Sequence, residues 1–244
     1  MANLIKRVML ALRFMGFSVL FKEVLRRIYG DEVVVRTYFG DFYVDVADLE
    51  LLRVLLEPLE DMYGFVDVKD SIVVDVGAYI GDTALYFLHK GALRVYALEP
   101  VDRHFKYLLK NMEKNNAVGR IIPLNYGAWF RNGTISVCCE GATTGLHTTM
   151  KTEINTAIKV RHLGDLLREI YVKEGKIDLV KMDCEGCEHS LLTLSNDDIK
   201  LAKQYIIEIH GPANPIIDKM TQCGYKHKLI KSIGSLVTVY HFTR

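Results

Sequence analysis

The chain has 244 residues, half of them hydrophobic and a quarter charged, with a formal net charge of +1. That balance excludes a low-complexity or disordered chain and fits a globular domain with a sizeable core. A charge near zero gives no bulk attraction for nucleic acid, and the five cysteines do not form a disulfide framework, so a reducing, cytoplasmic setting is expected.

Residues 1–30 set six basic side chains, Lys6, Arg7, Arg13, Lys22, Arg26 and Arg27, against Glu23 alone, in an otherwise apolar stretch. Arg13 interrupts the apolar run, which is therefore too short and too charged to span a bilayer. No secretory leader is recognisable. As a basic amphipathic helix the segment has two readings: weak contact with an anionic membrane surface or a grip on an acidic partner, or else packing on its own domain or in a homo-oligomer. The second is preferred.

"VVVRTYFGDFYVDV" (33–46) is rich in β-branched and aromatic residues on both sides of Gly40-Asp41, which predicts a hairpin with a two-residue turn. "ADLELLRVLLEPLEDMYGF" reads as a helix opened by Asp48 and disturbed by Pro58. Residues 1–66 are thus expected to form an extension laid on a larger unit, 67–244.

From residue 71 the pattern alternates strand and helix: "SIVVDVG", "DTALYFLHKG", "RVYALEP", "VDRHFKYLLKNMEKNNAVG", then "RIIPLNYGAW" as a third strand. "TISVCC" and "AIKVRHL" read as short strands around a polar loop, 140–156, whose hydroxyls and amides would suit a sugar-like ligand. "GDLLREIYVKEG" is a helix and "IDLVKMD" a buried strand. "KQYIIEIH", a helix over 214–224 and two strands around Ile233-Gly234-Ser235 close the chain. Continuous apolar strands alternating with helices predict an α/β fold: a Rossmann-like, doubly wound, mostly parallel sheet with an antiparallel C-terminal edge.

Asp75-x-Gly77-x-x-x-Gly81 falls at the first strand-to-helix turn of this series, where glycines let the backbone approach a ligand. The loop lacks the G-x-G-x-x-G of a dinucleotide site and the Gly-Lys-Ser/Thr of a P-loop. Its flanking acids, Asp75 and Asp82, would repel phosphate but suit an ammonium. Glu99 ends the next strand, near the spacing of about 20 residues at which an acid takes ribose hydroxyls. A ribose, a cationic amino-acid tail and no phosphate describe S-adenosylmethionine. Two other readings stay open: a nicotinamide oxidoreductase, and a scaffold that keeps the fold without catalysis.

These segments, with "LNYGAW", "VRHLGDLL" and above all "IDLVKMDCEGCEHSLL", resemble the FkbM family of class I S-adenosylmethionine-dependent methyltransferases. The resemblance implies a seven-stranded sheet and methyl transfer to a hydroxyl of a sugar, polyketide or similar small acceptor. It implies a cofactor site lined by Asp75, Gly77, Ala78, Tyr79, Gly81, Asp82, Thr83, Glu99, Pro100, Ala128 and Asp183. Tyr79 stands where the family often has Asn, and Leu163-Gly164-Asp165 where it often has Leu-Asp-Asp.

In a parallel sheet, ligands sit beyond the carboxyl ends of the strands. "KMDCEGCEHSLL" delivers Asp183 and Glu185 to that edge, and "EIH" brings Glu208 and His210. A hydroxyl must shed its proton as it attacks a methyl, and a placed base contributes about 10²–10⁴-fold. Asp183, Glu185 and His210 are the candidate catalytic residues; Glu188 suits either a helix start or the site. An Asp/Glu/His set can hold a divalent metal, but no metal is the preferred reading. Cys184 and Cys187 are expected to be small packing residues beside a working acid.

Overall fold

The computed structural model describes residues 27–28, 30–46, 48–138, 155–234 and 236–244. The basic segment 1–26 and most of the polar loop fall outside the described residues. No helix among the described residues is long and apolar enough to cross a membrane.

Two strands, β1 (Glu32–Arg36) and β2 (Asp41–Asp45), pair as an antiparallel hairpin. The expected two-residue turn is instead a four-residue loop, with Arg36 opposite Asp41 in the ladder. Thr37 is the cause: its Oγ1 accepts from the N–H groups of Phe39 (3.2 Å) and Gly40 (3.1 Å) and donates to the Gly40 carbonyl (2.9 Å). Pro58 breaks the following helix into α1 (Leu49–Val54) and α2 (Leu59–Tyr63). Asp48 accepts from the Leu51 N–H at 3.5 Å at the start of α1.

The large sheet contains β3 (Ile72–Val76), β4 (Arg94–Leu98), β5 (Ile121–Leu124), β9 (Ile177–Met182), β10 (Ala202–His210), β11 (Lys226–Ile233) and β12 (Val237–Thr243). Their order is β11-β12-β10-β9-β3-β4-β5, parallel from β10 to β5, with β12 antiparallel to both its neighbours. β3 and β9 are buried along their whole length, as their apolar runs require. Helices α3 (Asp82–His89) and α4 (Asp102–Lys114) join one face to the hairpin: Phe42, Val44 and Leu51 share a core with Ile80, Tyr86 and Leu108. On the other face, α5 (Leu163–Glu174) and α6 (Asn214–Gln222) close a second core around Val74, Val180, Leu167 and Tyr205.

"RIIPLNYGAW" forms not one strand but two. After β5, Asn125 donates to the Glu99 carbonyl at 3.2 Å and the chain peels away into β6 (Gly127–Trp129). β6 enters a separate three-stranded sheet with β7 (Gly133–Cys138) and β8 (Asn155–His162). A side chain that bonds a neighbouring backbone in place of the ladder produces such a break.

Two asparagines of α4 fasten the hairpin. Asn111, fully buried, accepts from the Tyr43 N–H at 2.7 Å and donates to the Ile80 carbonyl at 3.0 Å. Asn115 accepts from the Asp41 N–H (2.8 Å) and donates to the Asp41 carbonyl (2.7 Å). The extension and the glycine loop therefore hang on the same helix.

Candidate active site

The carboxyl ends of β3, β4, β9 and β10 carry the glycine loop, Glu99, Asp183 and His210 to one edge of the sheet. Gly77 and Gly81 both have left-handed backbones (φ 85° and 88°), and Gly81 caps α3. At Gly77 the space matters as much as the angle: a Cβ there would lie 1.9 Å from the Asp183 carbonyl oxygen. The loop is thus pressed against the turn that follows β9, and the Asp183 N–H donates to the Val76 carbonyl at 3.1 Å.

Beneath the loop lies a buried charge group. The Lys181 ammonium is 3.0 Å from Asp75 Oδ1 and donates to the Gly77 carbonyl at 2.9 Å. Burial by itself would lower the lysine, but Asp75, Asp183 and Asp82 outweigh it and hold it above its usual range. Asp75 Oδ2 accepts from the Thr83 hydroxyl at 2.6 Å. Asp82, also buried, is pushed up to about 7 by lost hydration; Lys181 offsets part of this, while Asp75 and Glu57 repel.

Glu99 is 4% exposed and held by two backbone donors: Tyr79 N–H to Oε2 at 3.0 Å and Val101 N–H to Oε1 at 2.8 Å. Tyr79, the departure from the family pattern, has φ 48° and sets its ring edge-on to His104 at 4.3 Å. The side chains of Asp75, Ala78, Thr83 and Ala128 are buried in the core, and Pro100 lies beside Gly127. Of the acids expected to face a cofactor, Asp75 is engaged by Lys181 and Thr83, while Asp82 and Glu99 are buried beside the loop.

Beyond β9 the chain turns through Glu185 and Gly186, both with positive φ (54° and 113°), into a 3-10 segment, Cys187–Thr193. This turn brings the α-carbons of Cys184 and Cys187 to 5.5 Å, within bridging range, and the two form a disulfide. That corrects the expectation of two unlinked packing residues. The spacing showed a C-x-x-C; the left-handed Glu185-Gly186 pair that closes it is a backbone property that composition does not display.

Glu188 is fully buried and does more than begin a helix. Its Oε2 accepts from the Gly186 N–H at 2.8 Å; its Oε1 accepts from the His210 N–H at 2.9 Å and lies 3.2 Å from His210 Nδ1. His210 Nε2 faces Glu185 at 3.3 Å and Glu208 at 3.5 Å. Burial alone would lower His210, but Glu188, Glu185 and Glu208 raise it to about 9. Glu208 is raised to about 7 by burial and by Asp183. Donor atoms of Asp183, Glu208 and His210 all lie within 4.8 Å of one another.

Sequence reasoning missed the contribution of the extension. Tyr63, buried at the end of α2, is raised well above the usual phenol range by burial and by the charges of Asp183, Glu208, Asp75 and Glu57. Glu57 is raised by burial and by Asp183, with Arg53, Lys181 and Lys231 opposing. A signal existed in principle: the break at Pro58 turns α2 back toward the sheet, but its target edge is a tertiary fact.

Residues 75–227 match the family model described as the methyltransferase FkbM domain. The match covers more than half of the chain, which therefore belongs to the FkbM methyltransferase family. Hexuronic acid methyltransferase AglP of Haloferax volcanii is 29% identical over 173 residues, 69% of this chain and 65% of that protein. Uncharacterized protein 158B of Sulfolobus islandicus rod-shaped virus 1 is 28% identical over 151 residues, 62% of this chain and 68% of that protein. The crystal structure of methyltransferase FkbM from Methylobacillus flagellatus KT shares the fold at TM-score 0.54 and 21% identity, covering 81% of this chain and 54% of that one. The matched part of the chain thus spans just under two thirds of AglP and about half of the solved FkbM chain.

Proposed function

We propose that this FkbM-family chain transfers a methyl group from S-adenosylmethionine to a hydroxyl of a sugar or similar small polyol. The observation that carries the reading is one sheet edge bearing two complementary halves. A glycine loop flanked by Asp82 and Glu99 suits an amino acid and a ribose, and a group of acids around His210 suits a hydroxyl. The name of AglP, a hexuronic acid methyltransferase, makes a sugar acid the first acceptor to assay.

S-adenosylmethionine, when bound, supplies an electrophilic methyl on a sulfonium whose departure leaves a neutral thioether. Glu99 retains acceptor capacity beside its two backbone bonds, enough to take a vicinal diol. Asp82, raised to about 7 and so only partly ionised at neutral pH, ionises fully on meeting an ammonium and so rewards a cationic tail. Gly77 keeps the loop close to the Asp183 turn, which fixes the distance from methyl donor to acceptor. Asp183, Glu185 and Glu208 supply the carboxylates that take the hydroxyl proton. Glu188 fixes the ring of His210 as the orienting partner.

The test is calorimetry of S-adenosylhomocysteine and of NAD against the purified chain, with Glu99→Ala beside it. Binding of the former alone, weakened by the substitution, is the expected result. Binding of NAD alone, or of neither, ends the methyltransferase reading. Turnover with radiolabelled S-adenosylmethionine and a set of neutral sugars and uronates then identifies the acceptor, with Asp183→Asn as the inactive control.

A further inference from the structure

We propose that Asp183, Glu208 and His210 form a binding site for a hard divalent cation of the magnesium and manganese class. This goes beyond the methyl-transfer reading and does not depend on it. In the parallel pairing of β9 and β10, Met182 stands opposite Ile207, so Asp183, just past the end of β9, comes beside Glu208, which is still within β10. His210 lies two residues beyond Glu208 and so shares its face of the strand. One donor atom from each of the three lies within 4.8 Å of the others. Cations of this class bind oxygen at about 2.1 Å, so donors stand about 3.0 Å apart when adjacent and about 4.2 Å apart when opposite, and the three side chains draw together around the ion.

The set is more than a group of acids, because its histidine is oriented from outside. Glu188, fully buried and not one of the three, accepts from the backbone of His210 and faces its Nδ1. A carboxylate on one ring nitrogen places the proton there and directs the other nitrogen outward, the arrangement that supports metal-binding histidines. Nε2 is the nitrogen turned to the acids, Glu208 and Glu185, and it gives up its proton on taking the cation. Lys181, which also faces this group, already serves Asp75 and the Gly77 carbonyl. Glu57 adds a further acid from the extension.

Two carboxylates and one imidazole leave other coordination positions for water and an acceptor oxygen. A bound cation would lower the pKa of a ligated hydroxyl and would let a sugar carboxylate approach an edge otherwise lined with like charge. Cation binding itself stands apart from the methyl-transfer reading; within that reading, Asp183 and Glu208 on the cation narrow the three proton-accepting carboxylates to Glu185.

The test uses the full chain stripped with chelator and titrated with manganese chloride alone, the free ion being read by electron paramagnetic resonance. The expected result is one ion per chain, displaced by excess magnesium. Asp183→Asn and Glu208→Gln should each weaken binding about tenfold or more, and Glu188→Gln about 10–100-fold through the ring it holds. Glu169→Gln, an acid paired with Arg161 outside the cluster, should leave it unchanged. No stoichiometric binding, or binding that survives both Asp183→Asn and Glu208→Gln, overturns the proposal. The wild-type titration alone decides if the variants do not fold. S-adenosylhomocysteine binding, measured on the same stripped protein, separates this outcome from failure of the methyltransferase reading.

Discussion

Lys181 and Asp75 stand directly opposite each other in the β3–β9 ladder, with ammonium and carboxylate 3.0 Å apart and both residues buried. Cross-strand neighbours of opposite charge normally sit on a wet face; here the pair lies in the middle of a parallel sheet. It stays there because each charge has further partners: the Gly77 carbonyl for the lysine, the Thr83 hydroxyl for the aspartate. Removing one member leaves a bare buried charge, which costs about 3–5 kcal/mol. Lys181→Met should therefore destabilise strongly in urea titrations. Lys181→Met with Asp75→Asn should recover much of that stability. Equal losses for single and double variants would show that the pairing is not what matters.

Asp82 carries a pH signature. Its folded-state value, about 7, lies above the 3.8 of an unfolded aspartate, so the folded chain keeps this proton longer. Its contribution to stability is full below about pH 4 and is lost as pH rises through 7. Asp82→Asn removes that loss. The variant should gain on the wild type by at most about 1.4 kcal/mol per pH unit across that window, read from denaturant midpoints at several pH values. It should also bind S-adenosylhomocysteine more weakly, since the acid that strains the fold is the one that would meet the ammonium. A stability difference flat in pH would assign the effect elsewhere.

Asn111 connects three parts of the fold with one side chain. Asn111→Ala leaves the Tyr43 N–H and the Ile80 carbonyl without their partner, at about 1–3 kcal/mol each where no water replaces it. The expected loss is about 2–4 kcal/mol. Faster amide exchange in the β1–β2 hairpin, ahead of the sheet, is the accompanying sign. If exchange quickens uniformly, the hairpin is not held through this residue.

Gly77→Ala is the sharpest steric test. The new methyl would meet the Asp183 carbonyl at 1.9 Å and sit on a left-handed backbone. Strain and overpacking together should cost about 2–5 kcal/mol in thermal unfolding. Gly175→Ala is the companion control: it has a similar φ of 74° with open space around it. It should show the backbone cost alone, so a Gly77 variant no worse than this control would dismiss the wedge.

Much of the frame was legible in the sequence because covered parallel strands announce themselves: "IVVDV" is an apolar run with one charge, and "IDLVKM" carries Asp178 at its start and Lys181 near its end. Asp75 and Lys181 were visible too, but not that they face one another, since that depends on β9 pairing with β3 across intervening strands and helices. The turn after Arg36 departs from the Gly40-Asp41 pattern because Thr37 organises it through its own hydroxyl. β5 and β6 were fused because one asparagine bond decides where the strand ends. The acids of "DCEGCE" could be placed at the sheet edge, but Glu188 as the holder of His210 and the joining of the two cysteines rest on the backbone of Glu185 and Gly186. In each case local pattern gave the element and a long-range contact gave its use.

β12 follows β11 in the chain yet lies between β11 and β10. Until the β11–β12 hairpin folds back, β10 has β9 on one side and nothing on the other. The strand that ends in Glu208 and His210 is then a raw margin, with the donors and acceptors later matched by the Gln204–His210 to Val237–Thr243 ladder open to any extended peptide. The acid edge is complete only once that hairpin has docked. A chain caught before that step would offer the open margin of β10 to another copy of itself.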